Sequence, residues 1–481
     1  MQSNCWMPNW LTRALQACTD AHSNTPVCLT GSDAAPFLKD WRGRYVSKAL
    51  AVVMPRNTAE LSTFVAACHQ NGIKMVPQGG NTGLVGGAVA EMQGDGLDTV
   101  IINLSKLRST AHVDTHNRTL TVSAGYTLQE VQGMAHAAGL LFPLSLASEG
   151  SCTIGGNLAT NAGGTAVLRY GNTRELVLGL DAVLPNGDCL RQNTGLRKNN
   201  TGYALKDLLI ASEGTLGIIS EVTLKLFSQP KQRLTAWISL ESAAHALRNL
   251  SSLLDEFDAA LTSFEWMQHD AVALVAHHFH QKLPTALQHS YALIEVCSTS
   301  QTQALTAQFE AWAEAAATQG LFQDCVLAQS EQQAKQLWTL RENISEAQAK
   351  EGLNVKHDIA LPVSAIPEFL KSNLKAVNAI NPGIRPVVFG HLGDGNLHYN
   401  FSAPEGQDAK VFLTAFEHTI NDAVYADVKR FKGSISAEHG IGLLKKEVLL
   451  THQDPVALAT MRSIKKALDP LNLMNPGKLL G

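Results

Sequence analysis

The stretch PQGGNTGLVGG at residues 77–87 follows the short apolar segment IKMV and sets the character of the first half of the chain. Its glycines let backbone N–H groups line a concave loop that can hold an anion and approach a phosphate closely. Two later loops, SEGSCTIGGNLATNAGG at 148–164 and SEGTLGII at 212–219, also combine glycine with Asn, Ser or Thr. Any one of the loops could be an ordinary tight turn. Three of them suit one long diphosphate ligand better.

The glycine loops do not match the usual nucleotide-binding patterns. None contains G-x-G-x-x-G, and none contains G-x-x-x-x-G-K-[ST]. NAD in a Rossmann fold and P-loop nucleotide hydrolysis are therefore disfavoured.

Composition is that of a soluble globular protein with two or three domains. The chain has 481 residues, 45% hydrophobic and 17% charged, with a formal net charge of −4, which disfavours nucleic acid as a partner. Its 8 cysteines form no C-x-x-C pair, which argues against zinc fingers, iron–sulfur clusters and disulfide frameworks. This usage fits a reducing compartment, so we expect a cytoplasmic protein. We read no secretory signal, and no apolar run approaches the ~20 residues of a transmembrane helix.

The pattern along the chain changes near residue 228. Before it, strands such as TVIINL, TLTVSAG and GIISEVTLKLF are interspersed with helices such as TAELSTFVAACHQNG. After it, strands such as LTAWISL, SYALIEV and NVKHDIALPV alternate with long amphipathic helices. This predicts an α+β chain whose second domain is an antiparallel sheet with helices on one face.

Ordered motifs in both halves carry a family resemblance. PQGGNTGLVGG, GSCTIGGNLATNAGG, LPNGD and EGTLGIISEVTLKL resemble the FAD-binding domain of the vanillyl-alcohol oxidase/p-cresol methylhydroxylase superfamily. LWTLRENISEAQ, VKHDIALPV, GHLGDGNLHYN and SAEHGIG resemble its D-2-hydroxyacid dehydrogenase branch, which includes FAD-linked D-lactate dehydrogenases and the glycolate oxidase D-subunit. The resemblance implies a two-part FAD-binding domain at 1–228, a substrate- and metal-binding cap domain at 229–450, and a C-terminal segment at 451–481 that returns to the FAD domain.

The resemblance also implies which residues hold the flavin. Asn81 stands where members with covalent FAD often carry a histidine, so we expect non-covalent FAD. The expected cofactor-binding residues are Gly79, Gly80, Asn81, Thr82, Gly83 and Leu84 at the diphosphate; Ser148, Cys152, Gly155, Gly156, Asn157, Thr160, Asn161, Gly163 and Gly164 around the ring and ribityl chain; Glu213, Gly214 and Ile219 at the adenine half; and Asn475 near the ring.

The segment GHLGDGNLHYNF at 390–401 places two histidines around a Gly-Asp-Gly turn. A histidine near a strand is usually structural, but a hairpin-like turn can bring both ring nitrogens together. SAEHGIG supplies a carboxylate, Glu438, as a third ligand; two histidines and one carboxylate leave coordination positions open, as in catalytic sites. The resemblance implies the same ligands, His391, His398 and Glu438, for zinc or another divalent ion. Asp394 is the alternative ligand, although such a residue can simply stabilise the turn.

A 2-hydroxy acid can chelate a metal through its carboxylate and hydroxyl, which lowers the hydroxyl pKa. His439 is the base that we expect to take the proton, because an ordinary histidine pKa of about 6.5 suits proton transfer at neutral pH. Its alternative roles are to support a ligand or to donate to the substrate carboxylate. Asn400, two residues past His398, points to the same side of a strand and is a candidate donor to that carboxylate.

Arg341 and Ser345 lie four residues apart, on one face of the predicted helix, and Lys356 follows in the next strand. They could be ordinary solvated residues, but they match the family's substrate-binding residues. Two cations and a metal suit a dicarboxylate, with D-2-hydroxyglutarate expected first and D-malate second. The alternative substrate is D-lactate or a broad range of D-2-hydroxy acids.

Two other classes of protein remain open from the residues alone: a metal hydrolase with degenerate flavin loops, and a flavin-bearing subunit without catalysis. The sequence has no second cofactor motif, and the family implies electron-transfer flavoprotein or a quinone as electron acceptor. Direct use of oxygen stays open. The sequence does not fix the oligomeric state, and a homodimer is compatible with it.

Overall fold

The structure is a computed structural model, and it describes residues 7–19, 25–90, 96–302 and 304–480. Its strands are β1 (Val27–Leu29), β2 (Ala51–Met54), β3 (Lys74–Gln78), β4 (Thr99–Asn103), β5 (Ala111–Asp114), β6 (Thr119–Ser123), β7 (Leu140–Leu141), β8 (Val177–Val183), β9 (Cys189–Gln192), β10 (Ile218–Lys225), β11 (Phe227–Ser228), β12 (Gln232–Leu240), β13 (Leu261–Gln268), β14 (Ser290–Ser298), β15 (Asp324–Leu327), β16 (Asn354–Val355), β17 (Asp358–Ala360), β18 (Arg385–His391) and β19 (Asn396–Ser402).

The α-helices are α1 (Asn9–Ala17), α2 (Thr58–Gln70), α3 (Leu128–Ala137), α4 (Ile154–Ala159), α5 (Val167–Tyr170), α6 (Leu205–Leu209), α7 (Ala243–Phe257), α8 (His269–Phe279), α9 (Leu305–Thr318), α10 (Glu331–Glu342), α11 (Ile344–Glu351), α12 (Ile366–Ile380), α13 (Ala409–Arg430), α14 (Lys446–His452) and α15 (Pro455–Leu468). Short 3-10 helices span Gly31–Phe37, Leu104–Lys106, Thr173–Leu176, Asp258–Ala260, Val363–Ala365 and Leu392–Asp394.

The chain divides into two compact units. Unit 1 comprises Met1–Gly163, Asn172–Ser228 and Glu438–Gly481, and unit 2 comprises Gly164–Gly171 and Gln229–Ala437. The sequence predicts limits at residues 228 and 450, so residues 164–171 and 438–450 are the ones that the structure assigns differently. Hydrogen bonds explain both differences. Ser263 Oγ donates to the Thr165 carbonyl within unit 2, and the Leu443 N–H donates to the Val85 carbonyl within unit 1.

The described residues of unit 1 form three sheets. In the first, ordered β1-β2-β4-β3, strands β2, β4 and β3 are parallel; the second is antiparallel and ordered β5-β6-β10-β8-β9; the third pairs β11 with β7. The C-terminal segment extends the first sheet, because Met474 forms a parallel bridge with Met75 of β3. Helix α2 begins after Asn57, whose side chain accepts a hydrogen bond from the Glu60 N–H at 2.9 Å.

Unit 2 is built on one antiparallel sheet of order β15-β12-β14-β13-β18-β19-β16, with β17 also paired to β19. Trp237, Met267 and Phe389 lie on the face whose core includes residues of α8, α10 and α11. Tyr399 points to the other face and packs against Phe369 of α12, with ring centroids 5.2 Å apart. The predicted antiparallel sheet is confirmed, and α12 adds a helix on the second face.

Candidate active site

The glycine loops of unit 1 line one cleft. Concave clefts of this kind are where small molecules and cofactors usually bind. The sequence-predicted residues that line it are Gly79, Gly80, Asn81, Thr82, Gly83, Cys152, Gly155, Gly156, Asn157, Thr160, Glu213, Gly214 and Ile219. His439 also lines this cleft, so the expected base and the expected flavin-binding residues share one cavity.

Close approach between loops explains why glycine is needed at two of these positions. A Cβ on Gly80 would lie 1.9 Å from the Ser151 carbonyl oxygen, and a Cβ on Gly155 would lie 2.7 Å from Ala124 Cβ. The cleft also contains a polar group without a protein partner: among the described residues, the buried Asn157 side-chain nitrogen has no hydrogen-bond partner. The residues therefore fit a long polar ligand such as FAD.

We expect Gly80→Ala to yield protein that has lost most of its FAD. The new methyl group would force the two loops apart, and overpacking of this kind costs about 1–3 kcal/mol. The measurement is the flavin absorbance per protein chain after purification. Gly133→Ala is the matched control, because a Cβ at Gly133 of α3 meets nothing within 4 Å. A Gly80→Ala protein with full flavin content would contradict the close contact.

Other expected flavin residues do not line the cleft. Leu84 is half-buried, and Gly163 is buried in unit 1. The Ser148 carbonyl accepts hydrogen bonds from the two backbone N–H groups of Ser151 and Cys152, both at 2.8 Å. The remaining three are Asn161, Gly164 and Asn475.

Each of these three has a structural place of its own. Asn161 Oδ1 accepts the Arg174 N–H at 2.9 Å, and Gly164 belongs to unit 2. The Asn475 side-chain amide is buried and donates to the Gly87 and Glu213 carbonyls at 3.0 and 2.7 Å, which anchors the C-terminal segment.

Glu213 holds the loop that follows His439. Its two carboxylate oxygens accept the N–H groups of Ile441 and Gly442 at 2.7 and 2.8 Å. Burial raises the pKa of Glu213 above its ordinary value, although these two hydrogen bonds act in the opposite direction. The contact was not predicted from the sequence, where Glu213 was expected beside the adenine half of the flavin.

In unit 2, polar side chains form a row across four neighbouring strands. Glu265 of β13 pairs with His391 of β18, Phe389 of β18 pairs with His398 of β19, and Asp358 of β17 pairs with His398. Paired residues and residues two apart share a face of a sheet. A ring nitrogen of His391 lies within 4.8 Å of one of His398, and a carboxylate oxygen of Asp358 also lies within 4.8 Å of a ring nitrogen of His398.

The Gly-Asp-Gly turn brings the two histidines together. Gly395 has φ +86°, and a Cβ there would lie 2.1 Å from the Leu361 carbonyl oxygen, so only glycine fits. Asp394 Oδ1 accepts the Asn396 N–H at 3.0 Å, which is the turn-stabilising contact considered above. Burial raises the pKa of Asp394 to about 6.

Arg341 lies on α10 beside this row. Its Nε donates to Glu265 at 2.7 Å, and its guanidinium carbon lies 4.9 Å from the centre of the Phe389 ring. Among the described residues, neither Nη group of Arg341 has a hydrogen-bond partner, so both remain available to an acid.

The other expected substrate residues are placed differently. Ser345 is exposed on α11, a helix separated from α10 at Asn343, and Lys356 is exposed between β16 and β17. The Asn400 side chain is buried: Oδ1 accepts the His357 N–H at 3.1 Å, and Nδ2 donates to Gln348 Oε1 at 2.9 Å.

Sequence reasoning missed Glu265 and Asp358. Each is an acid inside a strand that is otherwise buried and largely apolar, and that isolation is the signal that could have singled them out. Unit 2 ends beside Asp358, since the Ala437 N–H donates to the Asp358 carbonyl at 3.2 Å. Glu438 is bonded to Ala437 and begins the last segment of unit 1. The paired imidazole nitrogens of unit 2 are donors of the kind that bind divalent metals.

Comparison with known proteins agrees with the two halves described above. The profile described as "FAD linked oxidases, C-terminal domain" matches residues 229–479, and that described as "FAD binding domain" matches residues 49–193. D-2-hydroxyglutarate dehydrogenase of Xanthomonas citri pv. viticola is 38% identical over 93% of this chain and 93% of the relative. A mitochondrial protein of Schizosaccharomyces pombe that is named as a D-lactate dehydrogenase is 34% identical to this chain. The match covers 93% of this chain and 85% of the relative.

Among solved structures, p-cresol methylhydroxylase with substrate bound shares the fold. Its TM-score is 0.73 at 14% identity, covering 99% of this chain and 98% of that one. The chain therefore belongs to the FAD-linked oxidase family and is an FAD-dependent hydroxyacid dehydrogenase. No helix in the described parts of the chain is long and apolar enough to cross a membrane.

Proposed function

We propose that this chain oxidises D-2-hydroxyglutarate to 2-oxoglutarate with the help of FAD and a divalent metal. The observation that carries the proposal is the row of Glu265, His391 and His398 on one face of the unit 2 sheet. Two imidazoles with neighbouring nitrogens provide metal donors, and the adjacent Arg341 provides a cation for a carboxylate. The similarity to the Xanthomonas enzyme supports the same substrate.

His391, His398 and Glu438 are the proposed metal ligands. The two histidines have ring nitrogens within 4.8 Å of each other, and a backbone hydrogen bond holds Ala437, the residue before Glu438, beside Asp358. Zinc is the first metal to test, and manganese, cobalt and iron accept the same donors.

The metal, the flavin and the protein side chains have separate parts in the proposed reaction. A metal, when bound, acts as a Lewis acid toward the substrate hydroxyl and lowers its pKa. A bound FAD would supply a hydride acceptor for the hydrogen on C2 of the substrate. His439 takes the hydroxyl proton, and its place in the flavin cleft supports this role. Arg341 binds the carboxylate far from the reacting carbon, with Ser345, Lys356 and Asn400 as further proposed substrate contacts.

The second candidate function is a D-lactate or broad D-2-hydroxyacid dehydrogenase. Arg341, Ser345 and Lys356 are the three proposed contacts to a second carboxylate. Ser345 and Lys356 are both exposed, which favours a substrate without that carboxylate. The similarity to the Schizosaccharomyces protein also favours it. D-malate lies between the two candidates as a shorter dicarboxylate.

Arg341→Ala separates these candidates. We expect kcat/KM to fall roughly 100-fold for D-2-hydroxyglutarate, because the variant loses the proposed ion pair between Arg341 and the second carboxylate of the substrate. Truncating one partner of a buried charge pair costs about 2–5 kcal/mol. The fall for D-lactate should be much smaller, since lactate has no second carboxylate. The measurement is dye reduction with D-2-hydroxyglutarate, D-malate, D-lactate and their L forms.

Arg233→Ala is the control for this experiment, because Arg233 lies on the same sheet and its side chain is 58% exposed. Equal losses on both substrates would contradict recognition of the second carboxylate by Arg341. Faster turnover of lactate than of hydroxyglutarate by the wild-type enzyme would favour the second candidate.

We further propose that electrons leave the flavin to a partner such as electron-transfer flavoprotein or a quinone. Cytoplasmic location and a homodimer likewise stay predictions. Reduction of each acceptor by the substrate-loaded enzyme tests the proposed electron partner. The mass of the particle in solution tests the predicted homodimer.

A further inference from the structure

Glu265 is the least accessible acid of unit 2 and contacts two residues that the proposed function uses. It has no exposed surface, lies on β13, and pairs directly with His391 across the sheet. Its Oε1 lies 2.5 Å from His391 Nδ1, and its Oε2 lies 2.7 Å from Arg341 Nε. Each carboxylate oxygen therefore serves a different side chain.

An ionised carboxylate is the form that can serve both partners. The Arg341 guanidinium, which is always protonated, donates to one oxygen of Glu265, and the His391 ring lies against the other. An ionised carboxylate only accepts hydrogen bonds, so both neighbours must donate. His391 then carries a proton on Nδ1, which leaves Nε2 of the neutral ring with a lone pair for a metal.

We propose that Glu265 is a positioning residue that orients the metal-binding His391 and the substrate-binding Arg341 at the same time. One buried carboxylate thereby couples metal binding to recognition of the distant carboxylate of the substrate. The inference rests on the proposed function and extends it, because Glu265 touches neither metal nor substrate.

The same geometry predicts what an amide would do. Gln at position 265 has one oxygen that accepts and one nitrogen that donates, so it can satisfy only one of the two donors. If its nitrogen faces His391, the imidazole must accept at Nδ1 and carry its proton on Nε2, the atom needed for the metal. If its nitrogen faces Arg341, two donors oppose each other and the guanidinium must move.

The test compares Glu265→Gln with the wild type as FAD-loaded, metal-depleted protein. Zn²⁺ affinity is measured by competition with a fluorescent chelator, and the affinity for glutarate, which has both carboxylates but no hydroxyl, by calorimetry. We expect Zn²⁺ affinity to fall about 10- to 100-fold, the usual effect of removing such a supporting partner, and glutarate binding to weaken as well.

Glu295→Gln is the matched control. Glu295 is also a buried acid of this sheet, on β14, but it contacts Arg233 and Trp338 rather than His391 or Arg341. Its replacement should leave both affinities unchanged. Wild-type affinities for Zn²⁺ and glutarate in Glu265→Gln would overturn the inference.

The design separates this inference from the proposed function. If the wild-type protein binds no Zn²⁺, or binds it equally well after His398→Asn, the proposed metal site fails and the inference fails with it. If only Glu265→Gln behaves as wild type, the metal site stands and the inference alone fails.

A second measurement does not depend on whether a variant of Glu265 folds. NMR of the wild-type protein with isotope-labelled histidine, assigned with His391→Ala, reports which nitrogen of His391 carries the proton. We expect the Nδ1–H form after Zn²⁺ is added. An Nε2–H form would overturn the inference.

Discussion

Replacing His398 with asparagine should reduce turnover of D-2-hydroxyglutarate by roughly a thousandfold or more while leaving the bound FAD in place. A metal that polarises the hydroxyl contributes several kcal/mol to the transition state, and each 1.36 kcal/mol is about tenfold in rate. His398 is a better target than His391, because His391 also contacts Glu265. The flavin cleft lies in unit 1, so its contents should not change.

The measurements are kcat by dye reduction, flavin absorbance per chain, and bound metal by elemental analysis. His418→Asn is the control, since the His418 side chain is 92% exposed and pairs with Asp422 on α13. Wild-type turnover and metal content in His398→Asn would contradict the assignment of this histidine as a ligand.

The second large effect is expected from His439→Ala. Loss of a general base lowers the rate about 10²- to 10⁴-fold, and the loss should appear in the rate of flavin reduction rather than in substrate binding. Metal and FAD content should remain those of the wild type. Because the truncation leaves space in the cleft, added imidazole should restore part of the rate.

His116→Ala provides the control, because His116 is an exposed histidine of unit 1 and does not line the cleft. The alternative roles of His439 give a different result. A donor to the substrate carboxylate would weaken substrate binding, and a group that supports a ligand would lower metal content. Either result, without rescue by imidazole, would contradict the role of base.

On the flavin side, the family resemblance assigns residues of three glycine loops, and most of these residues line one cleft. Residues such as Asn161 and Ser148 were harder to place, because their roles depend on the path of the loop. Asn161 has φ +51°, and its side chain binds the Arg174 N–H instead of facing the cleft.

The contacts of Glu265 with the proposed metal-binding and substrate-binding residues could not be predicted from local sequence. Glu265 and His391 are 126 positions apart, and only the β13–β18 register brings them together. Arg341 and Ser345 have the spacing of one helical face, but the interruption at Asn343 assigns them to different helices. Tertiary packing decides which distant strands pair and where a helix is interrupted. The spacing of residues along the chain carries no information about that packing.

We propose that oxidation of a D-2-hydroxy acid by this chain needs both the metal and FAD. The most direct measurement is the rate at which the bound flavin is bleached when D-2-hydroxyglutarate is mixed anaerobically with the metal-depleted and the Zn²⁺-reconstituted enzyme. We predict rapid bleaching by the D isomer with Zn²⁺, very slow bleaching without it, and none by the L isomer. Equally rapid bleaching by verified metal-free enzyme would contradict the account.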